Sequence, residues 1–251
     1  MEKKAAGFTL FYMIICGIDV ETTGLDPAKD EICEIARAIF DSENMQKPLR
    51  LRHFYLKATV PDEIAQIHKM TTEFLENVST PIEDVFNALN TDLLYFGVTY
   101  FVAHNAPFDR LFLETALFKN GTGVPSGLEG WIDTQRDIEF PKAIRHRELT
   151  YLCAHHGFLN PFPHSALFDV MSMMRILSAY ALPAIIAYKN EPTVYLRALV
   201  DFHSRDLAKA RGFRWEEWEG KKHPKTWVKA VKQKYVEEEK RAANFTIEEI
   251  R

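Results

Sequence analysis

The sequence has few cysteines, no apolar segment long enough to cross a bilayer and no excess of basic residues. Its three cysteines, Cys16, Cys33 and Cys153, are odd in number and show no C-x-x-C spacing. This argues against a disulfide framework or a zinc knuckle and favours a reducing, cytoplasmic compartment. The N-terminal lysines and apolar run superficially resemble a signal peptide, but no A-x-A-like cleavage site follows them. We therefore expect no membrane association.

Internal repeats, low-complexity tracts and heptad arrays are also absent. The 251 residues predict one large domain, or one domain with a smaller appendage. The net charge of −4 does not by itself indicate a polyanion-binding protein, but it is unevenly distributed. Residues 201–235 hold ten Lys or Arg and five acidic residues, a net charge of +5, which leaves −9 on the rest of the chain. This asymmetry indicates an acidic, metal-binding body and a basic appendage.

The apolar pattern predicts an α/β fold with a sheet of mixed direction flanked by helices. A first group of segments predicts a meander of three strands, at residues 8–20, 31–41 and 49–58. Helices and short strands then alternate, with helices predicted at 61–71, 81–94, 106–121, 149–157 and 165–181 and strands at 100–104 and 130–134.

Domain boundaries are predicted from prolines and composition. Pro183 and Pro192 bracket a predicted connector, so we expect an N-terminal tail over 1–10, a main domain over 11–182 and a small basic α+β module over 193–251. The module reads as strand, helix, strand, strand and helix, and its last fifteen residues as a solvated helix with a frayed end. Its aromatic residues predict either a small core or a platform for nucleic acid: Phe213, Trp215 and Trp227.

Four carboxylates stand out because they lie at the ends of elements or in apolar surroundings. Asp19 and Glu21 end an apolar strand and, two residues apart, point to the same face, which alone is compatible with a solvated strand end or a metal site. Asp109 begins a helix after a buried strand, and Asp169 lies within an apolar helix, where an unpaired carboxylate is costly. Together they offer hard oxygen ligands for Mg²⁺ or Mn²⁺, and two such ions can support phosphodiester cleavage.

A candidate general base lies close to the last carboxylate in sequence. His164 precedes Asp169 by five residues, so the two side chains converge only if His164 sits on the loop before the helix. Pro163 favours such a loop. A histidine there can titrate near neutral pH and accept a proton.

Three motifs, "DVETTG", "HNAPFD" and "HSALFD", resemble in this order those of the DEDDh family, the DnaQ-like 3′–5′ exonucleases of the ribonuclease H-like fold. The resemblance covers residues 11–180 and implies that the main domain is an exonuclease domain. A sister subgroup places a tyrosine four residues before the last Asp. Here that position is Ser165, which favours the histidine subtype.

The resemblance implies a role for each matching residue. Asp19 would bridge two metal ions, Glu21 and Asp169 would complete one metal site, and Asp109 would hold the other ion largely through water. His164 would be the general base.

The resemblance also implies substrate contacts beside the metal site. "AQIHKMT" resembles a segment whose histidine touches the substrate end, although Lys69 and Met70 replace the family's Gly and Ile. Asn105 is expected to orient the second motif. The implied substrate-binding residues are Thr22, Thr23, Leu25, His68 and Asn105.

These observations predict a metal-dependent 3′–5′ exonuclease. It would release nucleoside 5′-monophosphates from single-stranded 3′ ends, with DNA favoured over RNA. Two alternatives stay open: a non-catalytic nucleic-acid-binding protein, and a proofreading subunit that acts through a DNA polymerase or other replication and repair proteins.

Overall fold

The computed structural model describes residues 13–123, 130–217 and 225–250. The predicted tail over residues 1–10 lies outside these ranges. Contacts divide the chain into two compact units, Met1–Lys189 and Asn190–Arg251.

The first unit is built on a five-stranded sheet with the spatial order β3-β2-β1-β4-β5. β1 and β2 pair antiparallel, as do β2 and β3, whereas β4 pairs parallel with β1 and with β5. The predicted three-strand meander and the mixed sheet are therefore confirmed. The strand bounds are β1 Ile14–Thr22, β2 Ile32–Asp41, β3 Arg50–Tyr55, β4 Tyr100–Ala103 and β5 Gly130–Asp133.

Seven α-helices of this unit flank the sheet within the described ranges: α1 Asp62–His68, α2 Thr72–Val78, α3 Ile82–Phe96, α4 Ala106–Lys119, α5 Leu149–His155, α6 Ala166–Leu177 and α7 Leu182–Asn190. The segment between Pro183 and Pro192, predicted as a connector, contains the helix α7. The division between the two compact units lies near the end of α7, between Lys189 and Asn190. Pro183 is the second residue of α7, where the missing N–H costs nothing. Leu182 and Ile185 of α7 belong to the buried core.

Among the described residues no single helix is long and apolar enough to cross a membrane. The helices α6 and α7 reach that length and composition only together, across a bend of 92°.

Two apolar cores cover the two faces of the sheet. Alternation along β1 sends Ile14, Cys16 and Ile18 towards α3 and α4. The other face packs against α5, α6 and α7. Gly17 lies on that second face, where a Cβ atom would come within 2.6 Å of the Met174 sulfur on α6. The absence of a side chain at Gly17 therefore lets α6 approach β1.

A buried ion pair lies within the core on the α3 side. The fully buried Arg37 of β2 donates from Nη2 to the Oδ2 atom of Asp92 on α3 at 2.9 Å. Arg52 Nε donates to the same oxygen at 3.1 Å. Asp92 therefore compensates the charge of a guanidinium that has no access to water.

The second unit contains a four-stranded antiparallel sheet with the order β7-β8-β6-β9. Its elements are β6 Thr193–Leu199, α8 Arg205–Ala210, β7 Arg214–Glu217, β8 Lys225–Lys232, a 3₁₀ turn Gln233–Tyr235, α9 Val236–Ala242 and β9 Thr246–Ile250. The frayed end predicted after α9 was wrong. That segment is β9, and its backbone groups pair with β6.

The aromatic residues of the second unit divide between core and surface. Phe213 and Trp227 are buried in its core, whereas Trp215 keeps 54 % of its surface exposed beside Trp227. Part of the positive charge is neutralised locally, since Arg211 and Lys229 both pair with Glu239 at 2.8 Å. These contacts lower the pKa of Glu239.

Candidate metal and catalytic site

The site is built around the end of β1. Asp19 and Glu21 follow Gly17 on the sheet face that packs against α6. This placement follows from the two-residue period of the strand. After Glu21 the pairing with β2 shifts register, and the chain leaves the sheet. Both carboxylates therefore lie at the edge of a core that could not accommodate them further inside.

Asp109 reaches the end of β1 from the first turn of α4. Its Oδ1 atom accepts a hydrogen bond from the Val20 N–H at 3.1 Å, and the side chain is 2 % exposed. Asn105 precedes α4 in a left-handed conformation with a φ of 73°. The Asn105 N–H donates to Asp133 Oδ1 at 3.1 Å, which ties the start of α4 to the end of β5.

Asp169 and His164 meet at the start of α6. His164 lies on the loop before the helix, and its backbone N–H donates to Asp169 Oδ2 at 3.1 Å. Asp169 Oδ1 accepts a hydrogen bond from the Asn160 side chain. Potential ligand atoms of Glu21, His164 and Asp169 all lie within 4.8 Å of one another.

Electrostatics set these four carboxylates apart from surface acids. Burial, then repulsion by Asp109 and Asp169, raises the pKa of Asp19 well above its ordinary value. Burial is also the main cause that raises the pKa of Glu21 to about 8 and that of Asp109 to about 8. It raises the pKa of Asp169 to about 6, against the lowering effect of the His164 N–H.

Among the positive side chains of the described residues, only His164 offsets part of this repulsion, at Asp169. In the described part of the chain, no Lys or Arg forms an ion pair with any of the four carboxylates. Buried, mutually repelling oxygen ligands without a Lys or Arg as counter-charge fit hard divalent cations such as Mg²⁺ or Mn²⁺.

The predicted substrate-binding residues differ in whether their side chains are free to contact a substrate. Thr22 donates from Oγ1 to the Gly24 carbonyl at 2.6 Å, and Thr23 Oγ1 accepts from the Glu31 N–H at 3.0 Å, so both hydroxyls hold the turn after β1. Leu25, in contrast, is 84 % exposed.

His68 is buried, with Nδ1 accepting from the Met70 N–H at 3.2 Å and Nε2 lying 3.7 Å from the sulfur of Cys33. Burial lowers the pKa of His68. Its ring nitrogens are thus engaged inside the protein, and a contact of His68 with substrate stays a prediction.

Sequence reasoning missed two residues of the site, Glu34 and Asn160. Glu34 lies on β2 directly opposite Glu21, is 2 % exposed and contributes to the raised pKa of Glu21. Glu34 could have been found from the sequence, because it is a lone carboxylate in the largely apolar run "ICEIARAIF". Asp169 was singled out for the same reason, as a lone carboxylate in an apolar helix. Asn160 carries no such signal, since a polar residue before a proline is ordinary in a loop.

Comparison with known sequences gives a family match and partial relatives. The exonuclease (RNase_T) family model matches residues 16–177. The chain is 31 % identical over 176 residues to a PolC-type DNA polymerase III of Staphylococcus haemolyticus, covering 68 % of this chain and 11 % of that protein. It is 31 % identical over 112 residues to the 3′-5′ exonuclease DinG of Bacillus subtilis, covering 43 % of this chain and 11 % of DinG. The chain thus spans about a tenth of the length of these curated relatives.

Comparison with solved structures supports the fold. The nuclease domain of 3′hExo, a DEDDh family member bound to rAMP, superposes with a TM-score of 0.56 and 17 % identity, covering 68 % of this chain and 92 % of that domain. Escherichia coli exonuclease I in complex with single-stranded DNA gives a TM-score of 0.60 and 15 % identity, covering 88 % of this chain and 63 % of exonuclease I. Both carry the mixed-sheet fold described above.

Proposed function

The chain belongs to the exonuclease (RNase_T) family, and on that premise we propose that it hydrolyses phosphodiester bonds at single-stranded 3′ ends and releases nucleoside 5′-monophosphates. One observation carries the proposal. Four carboxylates from three separate segments, together with His164, converge at the end of β1 without a compensating Lys or Arg among the described residues. A binding protein without catalysis has no need of such an unfavourable cluster.

The carboxylates would supply the ligands of two divalent ions, Mg²⁺ or Mn²⁺. Asp19 would serve both ions, Glu21 and Asp169 one of them, and Asp109 the other. When bound, such ions activate water and stabilise the developing charge on the leaving oxygen. The Val20 N–H orients Asp109 and the His164 N–H orients Asp169, so both carboxylates are held before any ion arrives.

His164 provides the proton chemistry. Its imidazole is exposed on the loop before α6 and lies within ligand distance of Glu21 and Asp169. From there it accepts a proton from the attacking water, and the adjacent carboxylates stabilise the imidazolium that forms. His164→Ala should lower kcat by about 10²–10⁴-fold. Binding of Mn²⁺, measured by titration calorimetry, should persist in this variant.

Exposed apolar side chains close in sequence to the carboxylates offer contacts for bases. Leu25 on the turn after β1 is 84 % exposed, and Phe162, two residues before His164, is 60 % exposed and packs on Phe168. Such side chains stack or pack on bases without sequence preference. DNA is the favoured substrate because the relative that matches 68 % of this chain is a PolC-type DNA polymerase III.

A 5′-labelled oligonucleotide tests the proposal directly. Incubated with Mg²⁺, it should shorten stepwise from its 3′ end, and Asp19→Ala should abolish the products. Matched DNA and RNA oligonucleotides, single- and double-stranded, measure the preference. Absence of a ladder, or a ladder unchanged in Asp19→Ala, contradicts the proposed activity.

A second candidate role is proofreading with a polymerase partner, since the relative that matches 68 % of this chain is a PolC-type DNA polymerase. We assign catalysis to the first unit and an accessory role to the second, for which exposed Trp215 is a candidate contact with nucleic acid. Three buried cysteines without disulfides fit a reducing, cytoplasmic compartment. Co-purification with a polymerase distinguishes the proofreading role from a free-standing enzyme.

A further inference from the structure

Glu34 is a buried carboxylate at the site that the metal assignment leaves without a role. It lies on β2, facing Glu21 across the antiparallel pair, and only 2 % of its surface is exposed. Its Oε1 atom accepts a hydrogen bond from Ser165 Oγ at 3.2 Å and lies 2.6 Å from His53 Nε2. A buried carboxylate kept in this position needs such partners, and these come from β3 and from the loop before α6.

Ser165 links Glu34 to the proposed general base. It stands between His164 and the first residue of α6, and its side chain makes no capping hydrogen bond to the helix. Its hydroxyl is instead directed to Glu34, 131 residues away in sequence. Removal of this hydroxyl therefore leaves the backbone contacts that begin α6 in place.

His164 requires such an anchor because of its backbone conformation. Its φ of 63° is left-handed, which is unfavourable for a residue with a side chain. On one side, the His164 N–H is held by Asp169 Oδ2. On the other side, the adjacent Ser165 is held by Glu34. The two anchors together fix the loop from which the imidazole projects.

We propose that Glu34 is a positioning residue, which acts through Ser165 to hold His164 at the carboxylate cluster while His53 fixes the Glu34 carboxylate. This inference rests on the proposed function, because it assigns His164 to the reaction. It differs from a role of Glu34 as a further metal ligand. The Oε1 atom of Glu34 is instead engaged by Ser165 Oγ and His53 Nε2.

Four variants separate these roles: Glu34→Ala, Glu34→Gln, Ser165→Ala and the double variant Glu34→Ala/Ser165→Ala. Glutamine keeps an oxygen that can accept the Ser165 hydrogen bond but has no charge. Ser178→Ala is the matched control, since Ser178 ends the same helix and its hydroxyl donates to the Arg175 carbonyl at 2.7 Å.

We expect Ser165→Ala and Glu34→Ala to lower kcat at saturating substrate by about tenfold or more, as loss of a hydrogen bond to a charged group predicts. KM and the Mn²⁺ affinity of Ser165→Ala should stay at their wild-type values. Glu34→Gln should recover most of kcat, and the double variant should be no worse than Glu34→Ala, because both changes break one interaction. Ser178→Ala should keep full activity.

The opposite results overturn the inference. If Ser165→Ala keeps the wild-type kcat, the link through Ser165 has no role in catalysis. If Glu34→Gln is as inactive as Glu34→Ala and both lose Mn²⁺ affinity, Glu34 acts through its charge on the metal site instead. Because Ser165 is only partly buried, its variant remains informative even if Glu34→Ala fails to fold.

A spectroscopic measurement keeps the inference separate from the proposed activity. Imidazole NMR signals of His164 in the metal-free protein are assigned by their loss in His164→Ala. Positioning through Glu34 predicts that these signals shift or broaden in Ser165→Ala and Glu34→Ala but not in Ser178→Ala. An inactive wild type refutes the proposed exonuclease activity, whereas unchanged His164 signals refute the positioning role.

Discussion

Divalent ions should stabilise this protein much more at pH 8 than at pH 7. The experiment adds Mn²⁺ to the metal-free protein at pH 7 and at pH 8. Burial and mutual repulsion raise the pKa of Glu21 and of Asp109 to about 8 and that of Asp169 to about 6. A carboxylate must lose its proton to bind a metal ion, so protons and Mn²⁺ compete for the site.

The same pKa values determine whether the metal-free protein gains or loses stability as the pH rises. A carboxyl group with a folded-state pKa above its unfolded value binds more protons when folded. Its contribution to stability is therefore fully present below the unfolded pKa and is lost as the pH rises through the folded pKa. For Glu21 and Asp109 that loss extends to about pH 8. The metal-free protein should become less stable from acidic pH towards pH 8, and Mn²⁺ should reverse this loss.

The size of the effect follows from the two groups whose pKa is about 8. Proton competition at each of them weakens the apparent affinity about 2-fold at pH 8 and about 11-fold at pH 7. These two groups alone make the apparent affinity about 30-fold weaker at pH 7, which is about 2 kcal/mol, and the raised pKa of Asp19 acts in the same direction. At a fixed, saturating Mn²⁺ concentration, the metal-induced rise in Tm should thus be about 4–8 °C smaller at pH 7 than at pH 8.

Differential scanning calorimetry with a Mn²⁺ series at both pH values measures this difference. Asp109→Asn removes one of the two competing protons, so the remaining Mn²⁺ affinity should vary only about 5-fold between pH 7 and pH 8. Equal metal-induced shifts of Tm at both pH values in the wild type would contradict this prediction. They would mean that the carboxylates are already ionised at pH 7 and do not form a repelling cluster.

Three further predictions concern the fold. Asp92→Ala should lower the free energy of unfolding by about 3–5 kcal/mol, because it leaves the charge of Arg37 buried and unpaired. Urea denaturation measures this loss. A loss below about 1 kcal/mol, which is typical of a surface ion pair, would contradict the prediction. Gly17→Ala should cost about 1–3 kcal/mol and weaken Mn²⁺ binding, since its methyl group collides with the Met174 side chain of α6, the helix that carries the proposed metal ligand Asp169. If Mn²⁺ affinity is unchanged, α6 accommodates the methyl group without displacement. Trp227→Ala should destabilise the second unit by about 3–5 kcal/mol, whereas Trp215→Ala, at a half-exposed position, should cost about 1 kcal/mol. Thermal unfolding measures both losses. Equal losses would contradict the assignment of Trp227 to the core.

Some sequence predictions failed where local signals conflicted with long-range packing. Pro183 was interpreted as the start of a connector, although proline is tolerated in the first turn of a helix and α7 buries Leu182 and Ile185. The segment "TIEEI" was interpreted as a frayed end because five residues with two glutamates make a weak strand on their own. This segment becomes the strand β9 because it pairs with β6. The residues around β9 in sequence do not indicate that pairing.

Features that depend on short-range geometry were predictable from the amino-acid sequence. The two-residue period of a strand places Asp19 and Glu21 on one face, and the proline before His164 places that histidine on a loop instead of the helix. The order of the three motifs indicated the family, which the match over residues 16–177 confirmed.

The other groups of the site are brought together by strand register and long-range packing. Glu34 faces Glu21 because of the register between β1 and β2, and it reaches Ser165 across 131 residues of sequence. Register and helix docking arise from the packing of both sheet faces, including the close approach of α6 at Gly17. Contacts of this kind depend on the combined packing of many residues that are distant in sequence. They therefore cannot be predicted individually from the spacing of residues along the chain.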